Sequence, residues 1–90
     1  MNNLYFINNE ISLPSSLPKD ITIWTVNDVS TWLRHNEFED FIINFELNKI
    51  DGRLLLRIDE RFIVAVLNIT HALKRRRILR SIEQLVFYQQ

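Results

Sequence analysis

The sequence predicts an all-α fold, and three observations carry that expectation. Apolar residues from residue 23 onward recur at three- and four-residue intervals. No stretch alternates as a half-buried strand does. Residues that cap helix N-termini stand ahead of two of the apolar runs. Taken together they predict a five-helix bundle with a long C-terminal helix over residues 23–90, preceded by a flexible N-terminal arm over residues 1–22.

The arm comes first. It holds both prolines, Pro14 and Pro18, with Ser15 and Ser16 between them, and proline and the residue before it resist helix. Its one apolar feature is Leu4-Tyr5-Phe6-Ile7, a candidate for docking on the domain or on a partner; the plainer expectation is a mobile leader. The first helix opens on Thr25 and Asp28, spaced as a T-x-x-D start close to a capping box. Val26, Val29, Trp32 and Leu33 follow at helical spacing and the pattern stops near Asn36. Phe38, Phe41, Ile42 and Phe45 form the apolar face of a second helix. Lys49-Ile50-Asp51-Gly52 breaks it, and the only glycine of the chain marks this as the tightest turn. Leu54-Leu55-Leu56 reads as a short third helix. Asp59 caps a fourth over Glu60 to Leu67, with Ile63, Val66 and Leu67 inward and Phe62 and Val64 left over. The fifth runs from about His71 to Tyr88 with Ile78, Leu79, Ile82, Leu85 and Val86 as its inward stripe.

Composition narrows the class further. Ninety residues make one small domain. With no cysteine there is neither a disulfide framework nor a thiolate metal site, so stability rests on an apolar core. No apolar run approaches a membrane span, and the first residues lack the pattern of a secretory signal; the expected location is intracellular, cytoplasmic or nuclear. The net charge is zero, which removes whole-molecule steering toward nucleic acid or anionic lipid. The charge is nevertheless polarised. Residues 27–60 carry eight acids against four bases, whereas residues 70–90 carry five bases against one acid.

Several blocks resemble one known family. Trp24-Thr25-Val26-Asn27-Asp28-Val29-Ser30-Thr31-Trp32-Leu33 is similar to the opening of a sterile alpha motif (SAM) domain, W-(S/T)-V-x-x-V-x-x-W-L. Phe41 and Phe45 match its aromatic pair, Ile50-Asp51-Gly52 with Leu54-Leu55-Leu56 its I-D-G-x-x-L-L segment, Ile58-Asp59-Glu60 its L-T-E, and Arg75 to Leu79 the basic, then apolar, start of its fifth helix. The resemblance covers residues 23 to 86, with the blocks in order. It departs at Leu67-Asn68-Ile69, where the family often has L-G-I, and at Leu73-Lys74, where it often has Gly-His. Asparagine accepts the left-handed backbone that the first turn needs.

Nothing in the sequence is arranged for catalysis. Phosphate-cradling, nucleophile-elbow and zinc-helix motifs are absent. His35 reads as a cation at a helix end, and Glu37, Glu39 and Asp40 as acids at a helix start, where the macrodipole favours them. Asn68-Ile69-Thr70 matches a glycosylation sequon by coincidence. The chain is expected not to be an enzyme and to need no cofactor, metal or small-molecule substrate.

The features that can carry binding lie elsewhere. Lys74-Arg75-Arg76-Arg77 crowds cations into the first turns of helix five, against the helix dipole, and a broken local rule marks a functional site. On a helical wheel His71, Lys74 and Arg75 continue the core side past its edge, while Leu73, Arg76 and Arg80 point away. Glu46, Asp51, Asp59 and Glu60 flank the third helix as the acidic counterpart, with Asp51 and Asp59 also serving as turn and cap. Ile43 and Leu47 form an apolar stripe off the core face. The family resemblance implies that such an acidic mid-surface binds the basic helix-five end of another SAM domain, a heterologous contact that can propagate. The leading expectation is a protein–protein interaction module for homo- or hetero-oligomerisation with SAM domains, with Leu73, Lys74, Arg75 and His71 on one surface and Glu46, Asp51, Asp59 and Glu60 on the other. The alternatives are an RNA-binding SAM domain gripping phosphates with the helix-five N-terminus and a structural domain with no partner of its own. Lys74 and Arg75 folded back on their own molecule's carboxylates, with neither surface free, would overturn the leading expectation.

Overall fold

Thr25 and Asp28 build a complete capping box. The Thr25 hydroxyl accepts from the Asp28 amide at 3.0 Å, and the Asp28 carboxylate accepts from the Thr25 amide at 3.0 Å. Two N–H groups that a helix start leaves unpaired are satisfied reciprocally. In the computed structural model, which describes residues 13–90, helix α1 accordingly spans Val26–His35. It is followed by a 3-10 turn at Glu39–Phe41, α2 at Ile42–Leu47, α3 at Gly52–Leu55, α4 at Glu60–Ala65 and α5 at Ala72–Gln89; a further 3-10 turn, Ile21–Ile23, precedes α1. The fold is the all-α five-helix arrangement with a long last helix, and no strand occurs among the described residues.

The end of α1 differs from the simple stop the periodicity implied. Glu37 takes φ 65°, the Phe38 amide reaches back to the Leu33 carbonyl at 2.8 Å and the Glu37 amide to Arg34 at 3.1 Å. This double closure satisfies the last carbonyls of α1. It also turns Phe38 inward, with its ring centroid 6.2 Å from that of Trp32. Phe38 therefore belongs to the cap, and α2 begins only at Ile42.

The core is formed by Trp24, Trp32, Leu33, Phe45, Ile50, Leu55, Ile63, Leu67, Ile78, Ile82 and Leu85, all essentially removed from solvent. Ser30 is the one buried polar residue among those described, and its hydroxyl donates to Glu46 at 2.9 Å, linking α1 to α2. On α5, Ile78, Ile82 and Leu85 are buried, with Leu79 and Val86 at the edge. On α4 the expectation needs correction: Val66 is exposed and Phe62 packs against the core. Helix α4 ends at Ala65, so the wheel that places Val66 inward does not extend to it.

The expected boundary after residue 22 falls inside a packed segment. Leu13 and Leu17 lie against the core and Ile21 is fully buried. The Trp24 indole donates to the Pro18 carbonyl at 2.8 Å, and the Ile21 amide donates to the Gln89 side chain at 2.8 Å. Leu4-Tyr5-Phe6-Ile7 lies outside the described residues.

Gly52 is required for a reason other than backbone handedness. The residue with left-handed backbone in that turn is Lys49, at φ 54°. Gly52 opens α3, its amide donates to the Trp24 carbonyl at 3.0 Å, and a β-carbon there would meet the Ile21 carbonyl and come within 2.9 Å of the Trp24 β-carbon. At the turn toward α5, Asn68 takes φ 58°, the conformation for which asparagine was expected to stand in for glycine.

Candidate interaction surfaces

The start of α5 presents the basic cluster. His71 is the N-cap, its Nδ1 accepting from the Lys74 amide at 3.4 Å. This capping role was missed in the sequence, although the three-residue spacing to Lys74 is that of an N-cap. Leu73 is exposed, as the wheel predicted. Lys74 folds back to Asp40, Nζ to Oδ2 at 3.5 Å, and both side chains remain largely open to solvent. The two enclose a small cleft with Glu37, Phe38, Phe41 and Arg77.

Arg75 is held far more firmly. Its Nε donates to Glu60 at 3.2 Å and its Nη1 to the Thr70 carbonyl at 3.0 Å, and its side chain is only 23% exposed. The sequence reading put Arg75 and Glu60 on complementary surfaces of different molecules; the fold brings them together in one. The pair ties the start of α4 to the start of α5. Arg76, Arg77 and Arg80 are exposed and make no ion pair among the described residues.

The acids around α3 are each committed locally. Asp51 caps α3 through the Leu54 amide at 3.0 Å, and Asp59 caps α4 through the Phe62 amide at 2.9 Å. Glu46 accepts from Ser30. A carboxylate has about four acceptor sites, so one capping bond leaves capacity for another partner. Exposed Leu47 directly follows Glu46, exposed Leu54 lies three residues after Asp51, and Ile43 shares the outer side of α2 with Leu47. The condition set against the leading expectation is thus met in part: Lys74 and Arg75 both fold back on carboxylates of their own molecule, while Lys74, Leu73 and all four acids stay accessible or partly so.

Away from these surfaces, the Asp20 carboxyl is held below the ordinary carboxylate range. The Thr22 hydroxyl contributes most, then the Thr22 amide; burial opposes the shift, and Gln89 and Arg53 add to it. Among the described residues no group of three or more histidines and carboxylates could hold a metal ion. No helix among them is long and apolar enough to cross a membrane.

The helix order, the Trp24–Trp32 pair in the core and the close approach at Gly52 coincide with a match to the SAM domain (sterile alpha motif) model over residues 22–86. The chain belongs to the SAM family. SAM domains are non-catalytic and generally serve as protein–protein interaction modules. Similar curated proteins include NAD(+) hydrolase SARM1 of Danio rerio, 33% identical over 84% of this chain and 11% of the fish protein. Another is the human WD repeat, SAM and U-box domain-containing protein 1, 37% identical over 69% of this chain and 13% of that protein. NAD(+) hydrolase sarm1 of Drosophila melanogaster is 28% identical over 82% of this chain and 5% of its own length. The chain therefore spans only a small part of these relatives, and their hydrolase names describe those whole proteins.

Proposed function

We propose that this SAM domain binds other SAM domains, copies of itself or those of another protein, through two unlike surfaces. One is the start of α5, where Leu73 offers an apolar contact and Lys74 a cation, with His71 capping the turn beneath them. The other is the acidic surface of Glu46, Asp51 and Asp59 with exposed Leu47 and Leu54. Arg75 and Glu60 hold the α4–α5 corner in shape. The observation that carries the reading is the pairing of an exposed Leu73 with a Lys74 whose carboxylate partner is itself exposed. Such surface pairs contribute about 0–1 kcal/mol, so Lys74 can exchange Asp40 for a partner's carboxylate at little cost. Opposite charges then steer encounter and register, and the leucines supply the apolar burial.

Sedimentation of the wild type, Lys74→Glu and Leu47→Glu tests this. Both substitutions fall on exposed side chains, and glutamate in the first turn of α5 suits the helix dipole. Each variant alone should associate less, and a mixture of the two should recover a dimer through the faces left intact. A wild type that stays monomeric at high concentration and binds no member of a SAM-domain panel overturns the reading. Binding to an RNA hairpin with a steep salt dependence would favour the phosphate-gripping alternative instead.

A further inference from the structure

We infer that the outer face of α5 is a second docking surface, which shares Leu73 with the helix start and runs from it along the helix, and that its occupant is an acidic helix of another protein. At 100° per residue, Arg76, Arg80 and Phe87 project within about 20° of the direction opposite buried Ile78, and Leu73 and Glu83 within about 40°. Positions 73, 76, 80, 83 and 87 alternate steps of three and four. That 3.5-residue average keeps a row of side chains in line with a partner helix. The row runs about 21 Å along the axis. Its ends are exposed and apolar, Leu73 at 58% and Phe87 at 78%. Between them stand Arg76 and Arg80, flanked by Arg77, and none of the three makes an ion pair among the described residues. Glu83 is the sole acid on this side of the helix.

Charge complementarity selects the occupant. A partner helix with two acids facing Arg76 and Arg80, an uncharged polar residue facing Glu83 and an apolar residue at either end matches the row along its whole length. Arginine and aromatic residues are the side chains that most often dominate binding energy, and guanidinium groups favour carboxylates through paired hydrogen bonds. A second copy of α5 does not fit. Antiparallel pairing centred on this row sets Arg80 against Arg80 of the other copy, and parallel pairing sets every arginine against its own kind. A bilayer needs a continuous apolar face, which Arg76 and Arg80 interrupt.

The test uses the whole chain and a synthetic acidic helical peptide about four turns long, with leucine at each end, glutamates at the seam positions facing Arg76 and Arg80, and glutamine at the one facing Glu83. Amide shifts should concentrate on the outer positions of residues 73–87. Arg80→Glu should weaken binding about tenfold or more and Phe87→Ala severalfold, each with unchanged helical circular dichroism. Leu47→Glu, on the other proposed surface, should leave peptide binding within about twofold. The inference is overturned by shifts that map elsewhere, by an Arg80→Glu variant that binds as the wild type does, or by phosphatidylserine vesicles or an RNA hairpin binding more tightly than the peptide.

Discussion

The junction of Ile21, Trp24 and Gly52 and the junction of α4 with α5 are both corners where helices meet, and they are made in opposite ways. The first is a contact of main chain on main chain, with the Gly52 amide on the Trp24 carbonyl and no space for a β-carbon. The second adds side-chain links to its main-chain turn: a histidine cap at 3.4 Å, an arginine–glutamate pair at 3.2 Å and, reaching to the turn ahead of α2, an open lysine–aspartate pair at 3.5 Å. Close packing tolerates no substitution without displacement, whereas exposed ion pairs can be exchanged for others of similar worth. The molecule fixes its fold at one corner, and the other is the corner proposed above to engage partners.

The largest effect should come from filling the first corner. Gly52→Ala is expected to cost about 3 kcal/mol or more, lowering the melting temperature by more than about 10 °C; a thermal melt near the wild-type value would show that the Ile21 and Trp24 backbone yields readily. A smaller effect of opposite sign is expected at Glu37, which closes α1 beside the Lys74–Asp40 cleft. Glu37→Gly relieves a left-handed strain and should stabilise by about 0.5–1 kcal/mol, seen as a higher urea midpoint at unchanged slope. At the second corner, Lys74→Glu should change stability by less than about 0.5 kcal/mol while reducing association, so that melting and sedimentation part company. Loss of both together would mean that Lys74 is a structural residue, like Arg75.

The smallest effect concerns Asp20, on the Gln89 side of the first corner. Its carboxyl is depressed in the folded state. Its contribution is therefore complete above the unfolded value, 3.8, and fades as pH falls through the lower folded value. Asp20→Asn should melt slightly below the wild type at pH 6, and the gap should close as pH approaches 2.

What the sequence disclosed follows the same division. Local chemistry was legible: the Thr25–Asp28 box, the Asp59 cap, the left-handed Asn68 and the buried stripe Ile78–Ile82–Leu85 each depend on residues a few positions apart. Gly52 was singled out for the wrong reason, because the clash that demands it comes from Ile21 and Trp24, about thirty positions away. Val66 was placed inward because periodicity cannot show where a short helix stops. The candidate interaction surfaces were legible as charge and only partly as geometry. Nothing in the spacing of Arg75 and Glu60, fifteen residues apart, distinguishes partners within one chain from partners across two. Lys74 and Asp40 escaped for the same reason, and His71 because a histidine cap is rarer than one of serine or aspartate.

The Gln89 side chain accepts from the Ile21 amide and donates to the Asp20 carboxylate, joining positions 68 and 69 residues apart. Asp20, Ile21 and Gln89 thus meet at one pole, whereas α5, 18 residues long, carries its first turn about 27 Å from that pole. Strung into a longer polypeptide, the domain would hang from its neighbours by both strands at a single attachment point. Covalent tethering would then leave the far tip unencumbered, and several such units could sit side by side on a common stalk with every tip facing outward.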